Sequence, residues 1–323
     1  MKRLLFRTFG PPAEVLEWVD LELPPLEQGQ VRLRMLAAPI NPADLNFIEG
    51  TYGIKPELPA VSGIEGCGEV LESREARFQP GDRAIFIRRS ATWASHAQVS
   101  ADDLFKVPRE IDPEQAAMLK VNPATAWVLL TRFREPARGS WVVQNAGNSG
   151  VGRCVIQLAK TIGLRTLSFV RRPELVPELE ALGADKVLLD GEDGFNEAKE
   201  LLGKESASLA CNAVGGDSAL RLMNLLAPGA THVTYGAMAR RPVTIPNGLL
   251  IFKDLQFRGM WLTRWLDEAS PQEVADVYSR LAELVAQGQL VQPLDSTYPL
   301  GSYTEALSRA RESGRDGKVL FVA

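Results

Sequence analysis

The feature that most limits what this chain can fold into is the run Trp141-Val142-Val143-Gln144-Asn145-Ala146-Gly147-Asn148-Ser149-Gly150-Val151-Gly152. It reads as a short buried strand, a tight glycine turn and the opening of a helix that continues through Arg153-Cys154-Val155-Ile156-Gln157-Leu158-Ala159-Lys160. The first amides of a helix have no carbonyl of their own to meet, and the helix dipole favours an anion in front of them. Gly147, Gly150 and Gly152 are spaced G-x-x-G-x-G, a variant of the dinucleotide fingerprint. Many loops carry such a triplet. Here a second strand, Arg165-Thr166-Leu167-Ser168-Phe169-Val170, follows one βαβ unit later, and that context points to a bound nucleotide.

The end of the second strand says which nucleotide. A site for NADH places an acidic residue there, against the ribose hydroxyls. This chain has Arg171-Arg172-Pro173. Guanidiniums grip a 2′-phosphate that a carboxylate would repel, so the expected cofactor is NADPH. Two solvated arginines at a strand end are the plainer alternative.

Three cysteines, Cys67, Cys154 and Cys211, lie far apart without a C-x-x-C pattern, and His96 and His232 are the only histidines. That set supplies a zinc site poorly, and all five residues read as structural. A net charge of −4 argues against general binding to nucleic acid or an anionic membrane. No segment has the apolar length a bilayer requires. The basic, briefly apolar start is broken by Arg7 and lacks a signal-peptide core, so the expected compartment is the cytoplasm.

At 323 residues the chain exceeds one typical core and suggests two domains. Up to about residue 118 it reads as strands and loops, with alternation in Val31-Arg32-Leu33-Arg34-Met35-Leu36 and a long loop holding Pro39, Pro42, Pro56 and Pro59. Asp112-Pro113-Glu114 opens a helix. Then strands near 141–145, 165–170, 186–189, 207–211, 229–235 and 255–260 alternate with helices, the grammar of a parallel sheet covered on both faces. The tail adds a helix opened by Ser270-Pro271, another near Tyr303–Arg311 and a strand at Lys318–Val322. The expected class is α/β: a Rossmann-type doubly wound sheet at 119–263, inserted in a β-rich domain made of 1–118 and 264–323.

That layout with this glycine turn resembles the medium-chain dehydrogenase/reductase superfamily over essentially the whole chain, in which the β-rich domain is GroES-like and catalytic. Longer motifs narrow the resemblance. Ala37-Ala38-Pro39-Ile40-Asn41-Pro42-Ala43-Asp44-Leu45-Asn46, Glu49-Gly50-Thr51-Tyr52-Gly53, Pro56-Glu57-Leu58-Pro59-Ala60-Val61, Lys120-Val121-Asn122-Pro123-Ala124-Thr125-Ala126 and Leu249-Leu250-Ile251-Phe252-Lys253-Asp254 are similar to those of the 2-enoyl thioester reductases. That branch reduces trans-2-enoyl thioesters, on coenzyme A or acyl carrier protein, with NADPH. The superfamily's zinc alcohol dehydrogenases have a cysteine in the early loop and a Gly-His-Glu segment. The matching places here read Asn41 and Gly63-Ile64-Glu65, and an isoleucine cannot bind zinc, so no metal is expected.

A zinc-free reductase must still stabilise an oxyanion, because hydride arriving at the β-carbon pushes charge onto the thioester oxygen. The resemblance implies Tyr52 as the donor; a loop tyrosine that merely packs its ring is the alternative. It also implies Asn148, Ser149, Gly150 and Val151 at the pyrophosphate, and Arg171 and Arg172 at the 2′-phosphate. The family spaces its two arginines by one more residue, which leaves open the one that dominates. Asn122 is implied near the nicotinamide ribose, or else it only breaks a helix before Pro123. Tyr235-Gly236-Ala237-Met238 follows a parallel strand, beyond whose carboxyl end ligands bind, and is implied at the cofactor. Met260-Trp261-Leu262-Thr263, at the end of the next strand, is implied to line the nicotinamide and acyl pocket, with core packing as the alternative. Lys318 matches a lysine that reaches the cofactor, and otherwise is an ordinary turn lysine. Arg88-Arg89 and Arg240-Arg241 are basic pairs that could attract coenzyme A phosphates or an acidic carrier, or be solvated surface.

The expected activity is NADPH-dependent reduction of the enoyl double bond. Quinone reduction by the sister branch, and nucleotide binding without turnover, stand beside it. A homodimer is the family expectation, and the apolar stretch 247–262 suits an interface.

Overall fold

The computed structural model describes residues Met1 to Ala323. They form two compact units, Met1–Val121 with Glu268–Ala323, and Asn122–Asp267.

The second unit is a six-stranded parallel sheet. Its order is Lys186–Leu189, Arg165–Val170, Trp141–Gln144, Ala207–Asn212, Leu226–Thr234 and Gln256–Gly259. The chain therefore starts in the middle, winds outward one way, then returns and winds out the other way. The strand order reverses between Trp141–Gln144 and Ala207–Asn212, which opens a crevice at their carboxyl ends. Both strands are almost wholly buried because helices cover both faces, so they read as apolar runs rather than alternating ones. The strand expected at 255–260 ends at Gly259, and Leu262–Glu268 is a helix. Leu262 and Thr263 thus stand on a helical first turn, while Met260 and Trp261 link it to the strand.

The first unit carries a seven-stranded sheet in which Leu294–Pro299, Lys318–Val322, Gln30–Pro39, Cys67–Ser73, Arg83–Phe86 and Leu104–Val107 are neighbours in that order, and His96–Ser100 pairs with Gln30–Pro39. A small sheet of Leu16–Asp20, Lys2–Phe6 and Ala60–Val61 accompanies it. The tail strand Lys318–Val322 pairs antiparallel with Gln30–Pro39, and Phe321 meets the fully buried Trp93 edge-on at 5.2 Å. The two ends of the chain thereby share one core. The proline-studded segment is not all loop. Pro42–Ile48 is a helix with Asn41 as its N-cap, and Pro42 fits because the first helical position needs no amide hydrogen. Helix Pro271–Ala286 is capped by Ser270, whose hydroxyl accepts from the Glu273 amide.

Candidate active site

The turn after strand Trp141–Gln144 is built by its own packing. Ser149 caps helix Gly150–Thr161, its hydroxyl accepting from Gly152 N at 3.1 Å. A β-carbon on Gly152 would stand 2.6 Å from the carbonyl oxygens of Ala146 and Gly147, and one on Gly150 would stand 2.4 Å from Asn122 Nδ2. The amides of Gly150 and Val151 open the helix and face no helical carbonyl, so an anion at the turn would be met by two donors and the dipole.

Several expected residues gather here. Asn122, buried at the head of helix Asn122–Thr131, lies against Gly150. Tyr235 follows strand Leu226–Thr234, with its backbone amide on Asn212 O at 3.0 Å and its buried hydroxyl beside Ser149. Burial pushes that phenol well above the ordinary tyrosine range. Gly236 sits against the Ala213 backbone, and Met260 N donates to Thr234 O at 2.9 Å, which sets the runs Tyr235–Met238 and Met260–Thr263 side by side. Met238 and Trp261 are exposed, as is Ala237. Gly147 N donates to Phe169 O at 3.0 Å, so the turn is fastened two residues before Arg171. Arg171 and Arg172 are both exposed, and Arg172 lies 3.5 Å from Glu174. Close backbone approach, unpaired helix amides and a guanidinium pair together fit the pyrophosphate and 2′-phosphate of NADPH.

Sequence reasoning missed the buried amides that hold this cradle. Gln144 Nε2 donates to Gly152 O at 3.0 Å and Ser168 Oγ at 2.9 Å, joining two strands and the helix. Asn145 Nδ2 donates to Asn212 Oδ1 at 2.8 Å and Ser218 Oγ at 2.9 Å, while Asn145 Oδ1 accepts from Ala213 N at 2.8 Å. The signal was there: Gln144-Asn145 and Asn212 are polar residues closing apolar strands, where an unpartnered amide would be costly.

In the first unit, helix Pro42–Ile48 places Tyr52. Gly50 turns the chain at φ 71°, and the amides of Thr51 and Tyr52 both donate back to Asn46 O, at 2.9 and 3.1 Å. The Tyr52 ring is half-buried against the core. Beside the helix start, Glu65 is fully buried. Asn41 Nδ2 donates to Glu65 Oε1 at 2.8 Å, Val121 N donates to Oε2 at 2.8 Å, and the Lys318 ammonium donates to Asn41 Oδ1. Buried Asp44 accepts from Asn41 N at 3.0 Å and Ile64 N at 2.9 Å. Lys120 Nζ donates to Ile64 O at 2.6 Å, and burial lowers its pKa to about 8. Burial holds the carboxyls of Asp44 and Glu65 above their ordinary range, opposed by the neighbouring cations and hydrogen bonds. An amide and two ammoniums around one carboxylate form a donor set that repels a divalent cation, so zinc does not fit these residues. Lys318, expected at the cofactor, has its ammonium on Asn41.

The remaining histidines and cysteines play no part in either group. His232 and all three cysteines are buried, and His96 Nδ1 is 3.0 Å from Ser95 Oγ.

Residues 27–109 match the family profile described as alcohol dehydrogenase GroES-like domain, and residues 150–283 match that described as zinc-binding dehydrogenase. Fold and site thus define a dinucleotide-dependent dehydrogenase or reductase of the medium-chain type. The rat mitochondrial enoyl-[acyl-carrier-protein] reductase is 44% identical over 315 residues, 95% of this chain and 84% of the rat protein. Among solved structures, an NADPH:quinone reductase of Bacillus thuringiensis superposes with a TM-score of 0.93 at 29% identity, covering 100% of this chain and 98% of that one. The complex of Etr1p with NADP and crotonyl-CoA gives 0.90 at 28%, covering 100% and 99%. The chain belongs to the medium-chain dehydrogenase/reductase superfamily and, within it, to the enoyl thioester reductases. One expectation is corrected by these relatives. Those from rat, mouse and human are named mitochondrial, which overturns the cytoplasmic assignment. A targeting leader takes no part in the folded core, so the core's sequence carries no trace of compartment.

Proposed function

We propose that the protein reduces the C2=C3 double bond of trans-2-enoyl thioesters with NADPH, and that Tyr52 is the group that stabilises the enolate oxygen. The observation that carries the assignment to Tyr52 is the occupation of the metal position. Asn41 donates to Glu65 there and Lys318 donates to Asn41, so the electrophile must come from another side chain, and Tyr52 offers a hydroxyl from the same unit.

NADPH supplies the hydride for the β-carbon when bound. Gly150 and Val151 amides, with Asn148 and Ser149, hold its pyrophosphate; Arg171 and Arg172 hold the 2′-phosphate; Asn122 fixes the nicotinamide ribose. The runs Tyr235–Met238 and Met260–Thr263 flank the nicotinamide and the acyl group, and Lys318 steadies Asn41. As the β-carbon accepts hydride, the thioester carbonyl becomes an enolate and Tyr52 donates to its oxygen. A proton then adds to the α-carbon, giving the saturated thioester. A phenol suits this role because it keeps its proton at neutral pH. Coenzyme A and acyl carrier protein both present such a thioester, and both are proposed as carriers.

The protein is proposed to act as a homodimer. Strand Gln256–Gly259 is the edge of its sheet, and next to it Ile251 and Phe252 are 69% and 84% exposed, an apolar edge that a second copy would cover.

The test is NADPH consumption with crotonyl-CoA, longer enoyl thioesters and a quinone panel. Enoyl thioester turnover that Tyr52→Phe cuts by roughly 100-fold or more is the expected result. Turnover of quinones alone would assign the protein to the sister activity, and wild-type rates in Tyr52→Phe would remove Tyr52 from the mechanism.

A further inference from the structure

Arg89 belongs to a basic pair that the sequence leaves either as an attraction for coenzyme A phosphates or an acidic carrier, or as solvated surface. It lies in the loop after strand Arg83–Phe86, and the loop is fastened at both ends. Ile87 N donates to Asp103 O at 2.8 Å, and Thr92 N donates to Gly63 O at 3.2 Å. Ala91 turns the chain at φ 54°, a conformation that costs an alanine free energy. From this loop the Arg89 side chain runs inward. Its guanidinium carbon is 4.1 Å from the centre of the Phe47 ring and 5.3 Å from that of the Tyr52 ring. Asp44 is its counter-ion, and a side-chain hydrogen bond joins it to Tyr52. Nη1 is buried with no hydrogen-bond partner in the protein.

A solvated surface arginine has no reason to bury an unpartnered N–H, which is costly. Tyr52, in contrast, needs a support, because Thr51, Gly53, Ile54 and Lys55 around it are all exposed. We propose that Arg89 is a positioning residue for enoyl reduction: its guanidinium clamps the Tyr52 ring and occupies one lone pair of the phenol oxygen, aiming the hydroxyl proton at the enolate. A phenol oxygen can accept one hydrogen bond while donating another. A cation on the accepting side strengthens the donation to a developing anion. This proposal rests on the role of Tyr52 given above.

The test is a double-mutant cycle. Arg89→Met keeps an unbranched chain over Phe47 but removes charge and donors; Arg89→Lys keeps the charge and loses the planar fork. Each is made in the wild-type protein and in Tyr52→Phe, and kcat with crotonyl-CoA, NADPH affinity and the thermal midpoint are measured. Expected for Arg89→Met is a roughly 10- to 100-fold lower kcat with NADPH affinity unchanged, partial recovery in Arg89→Lys, and less than about a twofold effect once Tyr52 is Phe. Equal losses in both backgrounds, or a wild-type kcat, overturn the proposal. If Arg89→Met does not fold, the pH titration of ring-labelled Tyr52 in Arg89→Gln decides: a raised phenol pKa supports the clamp and an unmoved one refutes it. Wild-type turnover in Tyr52→Phe would count against the earlier reading, whereas a crippled Tyr52→Phe beside an unaffected Arg89→Met would sink this one alone.

Discussion

The two glycines that open helix Gly150–Thr161 make contrasting demands, and substituting each by alanine separates them. Neither has a positive φ, so alanine is conformationally allowed at both and would gain at most about 1 kcal/mol of helix propensity. At Gly152 the new β-carbon meets two backbone oxygens at 2.6 Å, well inside the 3.4 Å at which ordinary contact begins. Backbone carbonyls of the turn can retreat only if the turn itself moves. The cost is that of overpacking, about 1–3 kcal/mol, which outweighs the helix gain. At Gly150 the obstacle is the Asn122 carboxamide, with Nδ2 at 2.4 Å and Cγ at 2.9 Å, and a side-chain rotation clears it. Gly150→Ala should therefore leave the apo protein within about 1 kcal/mol of wild type, yet weaken NADPH binding, because Asn122 is displaced and the pyrophosphate approach is narrowed. Urea unfolding of the apo proteins followed by circular dichroism measures the first quantity, and fluorescence titration measures the second. The reasoning fails if Gly150→Ala proves the more destabilised of the two, or if Gly152→Ala unfolds at the wild-type midpoint.

Three further outcomes can be checked. Burial holds His232 at a pKa of about 4, below its ordinary 6.5, so the unfolded chain takes up this proton first as pH falls. Its stabilising contribution is complete above pH 6.5 and is lost between 6.5 and 4, by about 3 kcal/mol, and His232→Gln should show a flatter acid limb in urea midpoints against pH. Replacing Arg171 and Arg172 together by Gln should weaken NADPH binding by roughly 10- to 100-fold while leaving NADH nearly unchanged; an equal loss for both cofactors would place the arginines elsewhere. Phe252→Asp should shift the sedimentation of a dimer towards monomer, and an unchanged mass would rule out this edge as the interface.

Much of the nucleotide unit was legible because its strands and helices obey local rules. The apolar strand, the glycine turn and the serine cap all lie within a dozen residues, so their chemistry can be read without knowing the fold. The βαβ grammar and the handedness of crossovers limit the strand orders open to such a chain, and the structure selects among them. Less was legible where a residue's role depends on a distant partner. Helix Pro42–Ile48 was hidden among prolines, although Pro42 is its natural first residue. Gln144 and Asn145 read as the end of a strand, yet their side chains tie together segments up to 73 residues away. Arg89 read as a carrier-attracting or solvated surface charge because the sequence cannot show that its guanidinium lies over the Phe47 and Tyr52 rings.

The metal position shows what such long-range partners do to a catalytic unit. Asn41 and Ile64 in the sequence argue only against zinc; they do not say what replaces its charge. The structure supplies the cation from Lys318, 277 residues from Asn41 along the chain, with Lys120 close by. Glu65 and Asp44 are both fully buried, and removing a partner from a buried carboxylate costs about 3–5 kcal/mol. These groups are therefore committed to holding the fold and have little freedom to exchange protons with substrate. Tyr52 stands beside that network, half-exposed, with the Arg89 guanidinium over its ring. The scaffold that elsewhere in this superfamily presents a metal here keeps its charges locked in the fold, which is why the electrophile is to be sought at Tyr52 and its tuning at Arg89.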